Sequence, residues 1–337
     1  MRWSPLENLV LMSLSIMPFI LPGRVPPAVD ATVAPSRTTM SQPDSIVLRT
    51  ATGALHGTLL LPAAPSARVP VVLIIAGSGP TDRDGNSPLL SGANNSLKLL
   101  AEALAVHGIA SVRYDKRGIG ASRPAGTSED ALRFDTYIDD ATAWIALLRR
   151  DPRFSSVGVI GHSEGSLIGM VAAQRGGASA FVSIAGAGRP AQDVLREQLG
   201  RQLPPMLMEA AHRAIGLLAA GRLADSTPPA LAALFRPSVQ PYLISWFRFD
   251  PAREIARLEM PVLIAQGTTD VQVPVVDAQR LAAAAPRAKL LVVDGMNHVL
   301  KVVPADPQQQ VQSYGNPALP VAPALITAIA ELLRAAR

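Results

Sequence analysis

Gly161-His162-Ser163-Glu164-Gly165 sets a serine between two glycines, where a short apolar run gives way to a helical pattern. A seryl hydroxyl so placed can act as a nucleophile. The G-x-S-x-G turn between strand and helix strains the serine backbone and lifts its oxygen above the sheet edge. Gly161 and Gly165 are the elbow residues, small so that strand and helix can approach closely. The N–H of Glu164, at the helix start, then faces a developing oxyanion. The alternative is a passive serine in a glycine-rich connection.

A hydroxyl nucleophile needs a base, and the base needs a carboxylate to orient it. Of the five histidines, His56 falls in an early strand and His107 at a helix end. His162 flanks Ser163 but points the wrong way for it, and His212 lies in a helical insertion. His298, in Asp294-Gly295-Met296-Asn297-His298, follows the last strand pattern, so its loop opens on the same carboxyl edge as Ser163. The acid is expected between serine and histidine in chain order. Asp270 directly follows the strand pattern Met260–Gln266 and is favoured. Asp250, before Pro251, reads as a turn or helix N-cap, and Asp294 as a residue shaping its own turn.

A second oxyanion donor should come from the loop after Val69–Ala76, where Ala76-Gly77-Ser78-Gly79-Pro80 makes the Ser78 N–H the candidate. The charges of Thr81–Asn86 and of Asp115–Gly120 are read as bracing their own loops rather than binding substrate. No compact metal-ligand spacing and no phosphate-binding glycine pattern occurs, so no metal and no cofactor are expected.

These residues need a scaffold that brings strand ends together. Ser45–Thr50 and Leu55–Leu61 read as a strand pair around Thr52-Gly53, and Val69–Ala76 is a β-branched run suited to a strand buried on both faces. Helix Asn95–His107, strand Ile109–Tyr114, helix Asp130–Arg150, strand Ser156–Ile160, helix Leu167–Gln174 and strand Ala178–Ala185 follow. This alternation argues for an α/β fold, a mostly parallel central sheet flanked by helices. From 187 to 258 the pattern is helical, broken by Pro204-Pro205 and Pro228-Pro229, before strands resume at Met260–Gln266 and Ala288–Val293. A helix over Ala322–Ala336 ends the pattern. A helical block between late strands reads as a cap above the carboxyl edge, where such folds place ligands. Its Trp246, Phe247 and Phe249 could wall an acyl pocket or pack the cap onto the sheet.

Arg2, the apolar run Leu9–Leu21 and Val29/Ala31 fit a secretory signal over 1–31, followed by a flexible lead-in over 32–44 and the catalytic domain over 45–337. The run is short for a span of ~20 residues, so the mature chain is expected to be exported, periplasmic or secreted, without a stable membrane span. An uncleaved N-terminal anchor is the alternative. With 48% apolar residues the chain can bury a core. Its formal charge of +5 comes from scattered arginines, which make no focused field for nucleic acid. The absence of cysteine excludes disulfides, thiolate metal sites, a cysteine nucleophile and lipid attachment through cysteine. Oligomeric state has no signature in the sequence.

The segments GSGPTDRDGN (77–86), RYDKRGIGAS (113–122), GHSEGS (161–166), LFRPSVQPYLISWFRFDP (234–251), QGTTDVQVP (266–274) and NHVLK (297–301) resemble the α/β-hydrolase superfamily, and within it the EstD-like bacterial esterases. The resemblance implies a carboxylic-ester hydrolase with a small-molecule substrate of short to medium acyl chain. It also implies a Ser-Asp-His triad at Ser163, Asp270 and His298, and a helical cap between the sixth and seventh strands. Ala76 departs from the wider superfamily, where many members carry histidine before the glycine, and this bears on how the oxyanion loop is braced. A peptidase would use the same triad but needs acidic cap residues for a substrate ammonium, for which Glu197, Glu209 and Asp225 are available. A thioesterase or acyltransferase, and a catalytically silent binding protein, are the other readings.

Overall fold

The computed structural model describes residues 41–63, 67–201 and 203–336. The export signal expected over 1–31 lies outside these residues, as does most of the lead-in. Strands β1 (Asp44–Thr50) and β2 (Gly53–Leu60) form an antiparallel hairpin at one end of an eight-stranded sheet. The others are β3 (Val69–Ile75), β4 (Ala110–Tyr114), β5 (Phe154–His162), β6 (Ala180–Ile184), β7 (Val262–Gly267) and β8 (Lys289–Val293). Their order is β1-β2-β4-β3-β5-β6-β7-β8, and every neighbouring pair from β4 to β8 is parallel.

Strand alternation sorts the apolar side chains into two cores, because successive residues face opposite sides. Val71, Leu73 and Ile75 of β3 face helices α2 (Phe134–Arg149) and α3 (Glu164–Gly176). Val72 and Ile74 face α1 (Ser96–Val106) and the last helix, α11 (Pro323–Ala335). With helices on both faces, the central strands are buried over most of their length, which is why they read as continuous apolar runs.

Helix α2 starts later than the expected Asp130. Glu129–Ala131 is a separate 3₁₀ turn, and Arg133 is extended. The tertiary fold sets this boundary: the Phe134 N–H, one of the helix's unpaired first donors, binds Ser245 Oγ at 2.7 Å.

Between β6 and β7 the chain forms α4 (Ala191–Gly200), α5 (Pro205–Ala219), α6 (Ala232–Phe235), α7 (Gln240–Trp246) and α8 (Pro251–Ala256). This helical insertion has its own apolar core, centred on Leu195, Leu199, Ile215, Leu218, Phe235 and Leu243. Asp250 caps α8 by accepting the Ala252 N–H. After β7 come α9 (Val275–Ala284) and, after β8, α10 (Pro307–Ser313). Among the described residues no helix is long and apolar enough to cross a membrane.

Candidate active site

Ser163 sits between β5 and α3 with φ 55° and ψ −122°, a strained conformation for a residue with a side chain. The turn is locked by sterics. A β-carbon on Gly161 would lie 2.2 Å from the Gly165 carbonyl oxygen, and one on Gly165 would lie 2.4 Å from the Ile75 carbonyl oxygen. Either substitution would push strand and helix apart. Among the described residues neither the Glu164 N–H nor the Ser78 N–H donates a hydrogen bond. Both residues border the same cleft as Ser163.

The β7 and β8 ends carry Asp270 and His298, the expected acid and base, and bring their side chains together. His298 Nδ1–H donates to Asp270 Oδ2 at 2.9 Å, and both side chains are buried. Asp270 Oδ1 accepts the N–H groups of Gln272 at 2.8 Å and Val273 at 3.0 Å. Gln266 Nε2 donates to Oδ2 at 2.9 Å. Burial alone would raise the Asp270 pKa, but the His298 imidazole and the Val273 and Gln272 N–H groups outweigh it, and the carboxyl is held below its usual range. An ionised Asp270 fixes the imidazole orientation and leaves Nε2 as the nitrogen able to take a proton.

The loop that carries His298 is itself anchored. Buried Asn297 accepts the Lys301 N–H at 3.1 Å and donates to Ser313 Oγ at 2.7 Å, tying the turn to α10. From the other side, His162 Nε2–H donates to the His298 carbonyl at 2.8 Å, with the two rings 4.8 Å apart. Desolvation, and then the nearby His298, push the His162 pKa down to about 3. A neutral His162 is therefore a fixed strut behind His298.

Lys116 joins the elbow to the loop after β3. Its side chain is 1% exposed, and Nζ donates to Gly77 O at 2.6 Å and to Glu164 Oε1 at 2.9 Å. Tyr242 OH, from α7, donates to the other Glu164 oxygen at 3.0 Å. One buried carboxylate thus links the loop after β3, the elbow and the helical insertion. With Ala76 before Gly77, the loop is braced through the Gly77 carbonyl instead of through a preceding histidine.

The remaining loop charges pair locally. Asp82 Oδ1 accepts the N–H groups of Asp84 and Asn86, Arg83 pairs with Asp115, and Arg113 pairs with Asp84. Asp294 accepts from Thr268 Oγ1, and His212 is exposed on α5. The cleft over Ser163 encloses about 750 Å³, solvent at its mouth included, and Leu167, Leu195, Leu234, Leu243, Trp246 and Phe247 supply much of its wall. The aromatic cluster divides its work. Phe247 lines the cleft, Phe249 packs on Phe134 at 5.3 Å, and Trp246 does both, stacking on Phe134 at 5.7 Å.

Residues 92–230 match the family described as serine aminopeptidase, S33, a stretch that includes the elbow but ends before Asp270 and His298. Esterase EstD of Thermotoga maritima is 28% identical over 73% of this chain, which spans 58% of that relative's length. Among solved structures, Est1E from Butyrivibrio proteoclasticus superposes with a TM-score of 0.55 at 16% identity, covering 86% of this chain and 98% of that one. An esterase of Pyrococcus furiosus gives 0.55 at 17% identity, over 92% and 96%. The chain has the α/β-hydrolase fold. In that α/β-hydrolase fold the strand ends β5, β7 and β8 bring Ser163, Asp270 and His298 to one edge. Lys116, Gln266, His162 and Asn297 support them without having been singled out for it in the sequence. Lys116 carried one usable signal: it is one of only four lysines in an arginine-rich chain.

Proposed function

We propose that this protein is a carboxylic-ester hydrolase that works through an acyl-enzyme on Ser163. The buried Asp270–His298 hydrogen bond, at the same sheet edge as a strained elbow serine, carries the reading. Ser163 Oγ attacks the ester carbonyl while His298 Nε2 takes its proton, and Asp270 stabilises the imidazolium. The N–H groups of Ser78 and Glu164 receive the oxyanion. His298 then protonates the departing alcohol, and a water deprotonated by the same nitrogen releases the acid.

The helical insertion serves as a cap, and its apolar wall takes the acyl chain. An apolar lining of this kind suits the acyl part of an ester, and short to medium chains are the substrates expected for it. The family match raises an aminopeptidase reading, which requires an unpaired carboxylate to hold a substrate ammonium. The charged residues lining the cleft are Glu164 and Arg189, and both are in ion pairs. Glu197 pairs with Arg189, Glu209 with Arg213, and neither Glu209 nor Asp225 borders the cleft. The ester reading therefore fits the cleft better.

A fluorophosphonate probe should label the wild type and leave Ser163→Ala unlabelled, and aryl esters of increasing acyl length should be cleaved by the wild type alone. Intact esters and an unlabelled wild type would overturn the proposal.

A further inference from the structure

Besides Trp246 with its indole N–H, six residues with polar side chains line the cleft: Ser78, Ser163, Glu164, Arg189, Gln198 and Gln272. Five are accounted for. Ser163 is the proposed nucleophile, and Ser78 offers its backbone N–H. Glu164 is held by Lys116 and Tyr242. Arg189 is paired with Asp277, at 2.9 and 2.8 Å, and with Glu197. Gln272 Nε2 donates to Tyr314 OH at 2.9 Å. Gln198, on α4, is the exception. It is 6% exposed, and its Oε1 is buried with no hydrogen-bond partner among the described residues.

A buried amide without a partner costs free energy, and native proteins rarely carry one without a reason. Val194, Leu195 and Leu234, which line the same cleft, are apolar and offer nothing to bind. We infer that Gln198 is a specificity residue, which recognises a hydroxyl on the acyl group of the ester. The partner must be neutral, because an ammonium would need a free carboxylate and the cleft has none. A hydroxyl both donates and accepts, so it satisfies the amide whichever way its oxygen and nitrogen are turned. The substrate class is thus an ester whose acyl chain or ring is mostly apolar and ends in a hydroxyl.

The inference rests on the proposed esterase activity, but it can fail separately. A purely apolar pocket penalises a buried, unpaired hydroxyl, so preference for a hydroxylated ester over its plain analogue requires a partner in the cleft. Two pairs of methyl esters test this: octanoate against ω-hydroxyoctanoate, and phenylpropanoate against its para-hydroxyphenyl analogue. For at least one pair the wild type should favour the hydroxylated ester about tenfold in kcat/KM, the scale of one net hydrogen bond. In Gln198→Leu that ratio should fall below one. Gln192→Leu is the control, because Gln192 also has an unpaired buried Oε1 on α4 but does not line the cleft. It should keep the wild-type ratio.

A wild-type ratio at or below one for both pairs overturns the inference, even if Gln198→Leu cannot be purified. The same holds if Gln198→Leu keeps the preference or Gln192→Leu loses it. If the wild type cleaves no ester at all, the proposed function itself has failed.

Discussion

Beneath the cleft, the sheet edge leaves few polar groups near Ser163 to chance: Asp270 accepts four hydrogen bonds, His298 is held at its ring and its carbonyl, and Glu164 is held at both oxygens. Above it, the helical insertion presents mostly aliphatic and aromatic surface, and its one unpaired amide is Gln198 among the residues that line the cleft. The floor holds orientation, since directional bonds in a dry setting leave its atoms little freedom. The roof is built for volume, since dispersion and burial are tolerant of shape. A substitution in the floor should therefore cost rate or stability steeply, and one in the roof should redistribute preference among substrates.

Asp270→Asn tests the floor hardest. An amide would hold the imidazole in the wrong tautomer, so kcat on a short aryl ester should fall about 10⁴-fold with KM little changed. A loss below tenfold would show that the Asp270–His298 bond does not carry the chemistry.

Lys116→Met comes next. It strands the buried Glu164 carboxylate and frees the Gly77 carbonyl, and breaking such a pair should cost about 3–5 kcal/mol of unfolding free energy. Adding Glu164→Gln should recover part of this, because the charge left behind is then removed. Urea unfolding of both variants reads the difference. If Lys116→Met costs no more than a surface pair such as Arg213–Glu209, the floor is not held together at this point.

A gentler probe is pH. His162 stays neutral in the fold, with its pKa pushed down to about 3, whereas in the unfolded chain it titrates near its ordinary value, 6.5. As pH falls below that value the unfolded state takes up a proton that the native state does not. Stability should then drop by about 1.4 kcal/mol per pH unit and level off near the folded value. Asp270, with its lowered carboxyl, adds a loss only at more acid pH, below its unfolded pKa. His162→Gln keeps a donor for the His298 carbonyl and removes the titration, so the difference between the two proteins isolates the slope. Parallel curves for wild type and variant would show that His162 is not the strut proposed.

How much of this was readable beforehand follows the range of each constraint. The elbow is local and steric, so two glycines around a serine reveal it. The strands are legible because burial on both faces leaves runs such as Val71–Ile75 no polar position. The floor's support is not local. Lys116 and Glu164 are 48 residues apart, and the Ser245 hydroxyl that pins the start of α2 is 111 residues from Phe134. No periodicity encodes such contacts. The roof was ambiguous for another reason: an aromatic residue meets a core and a cleft with the same surface, and Trp246 serves both.

Val194→Ala is the mildest change and the sharpest on the roof. Val194 is half-buried on α4 and lines the cleft, so trimming it leaves the insertion's core intact and widens the cleft. Two lost methyl groups lower contact for chains that just reach them and admit chains that were too long, by about 1 kcal/mol in either case. Across an aryl-ester series the optimum chain length should move up, with kcat/KM changing a few-fold at the optimum and less for acetate, which is too short to touch the residue. Urea midpoints should hardly move. A uniform drop at every chain length would mean that α4 orients the triad as well as shaping the pocket, and the division between an orienting floor and an accommodating roof would no longer stand.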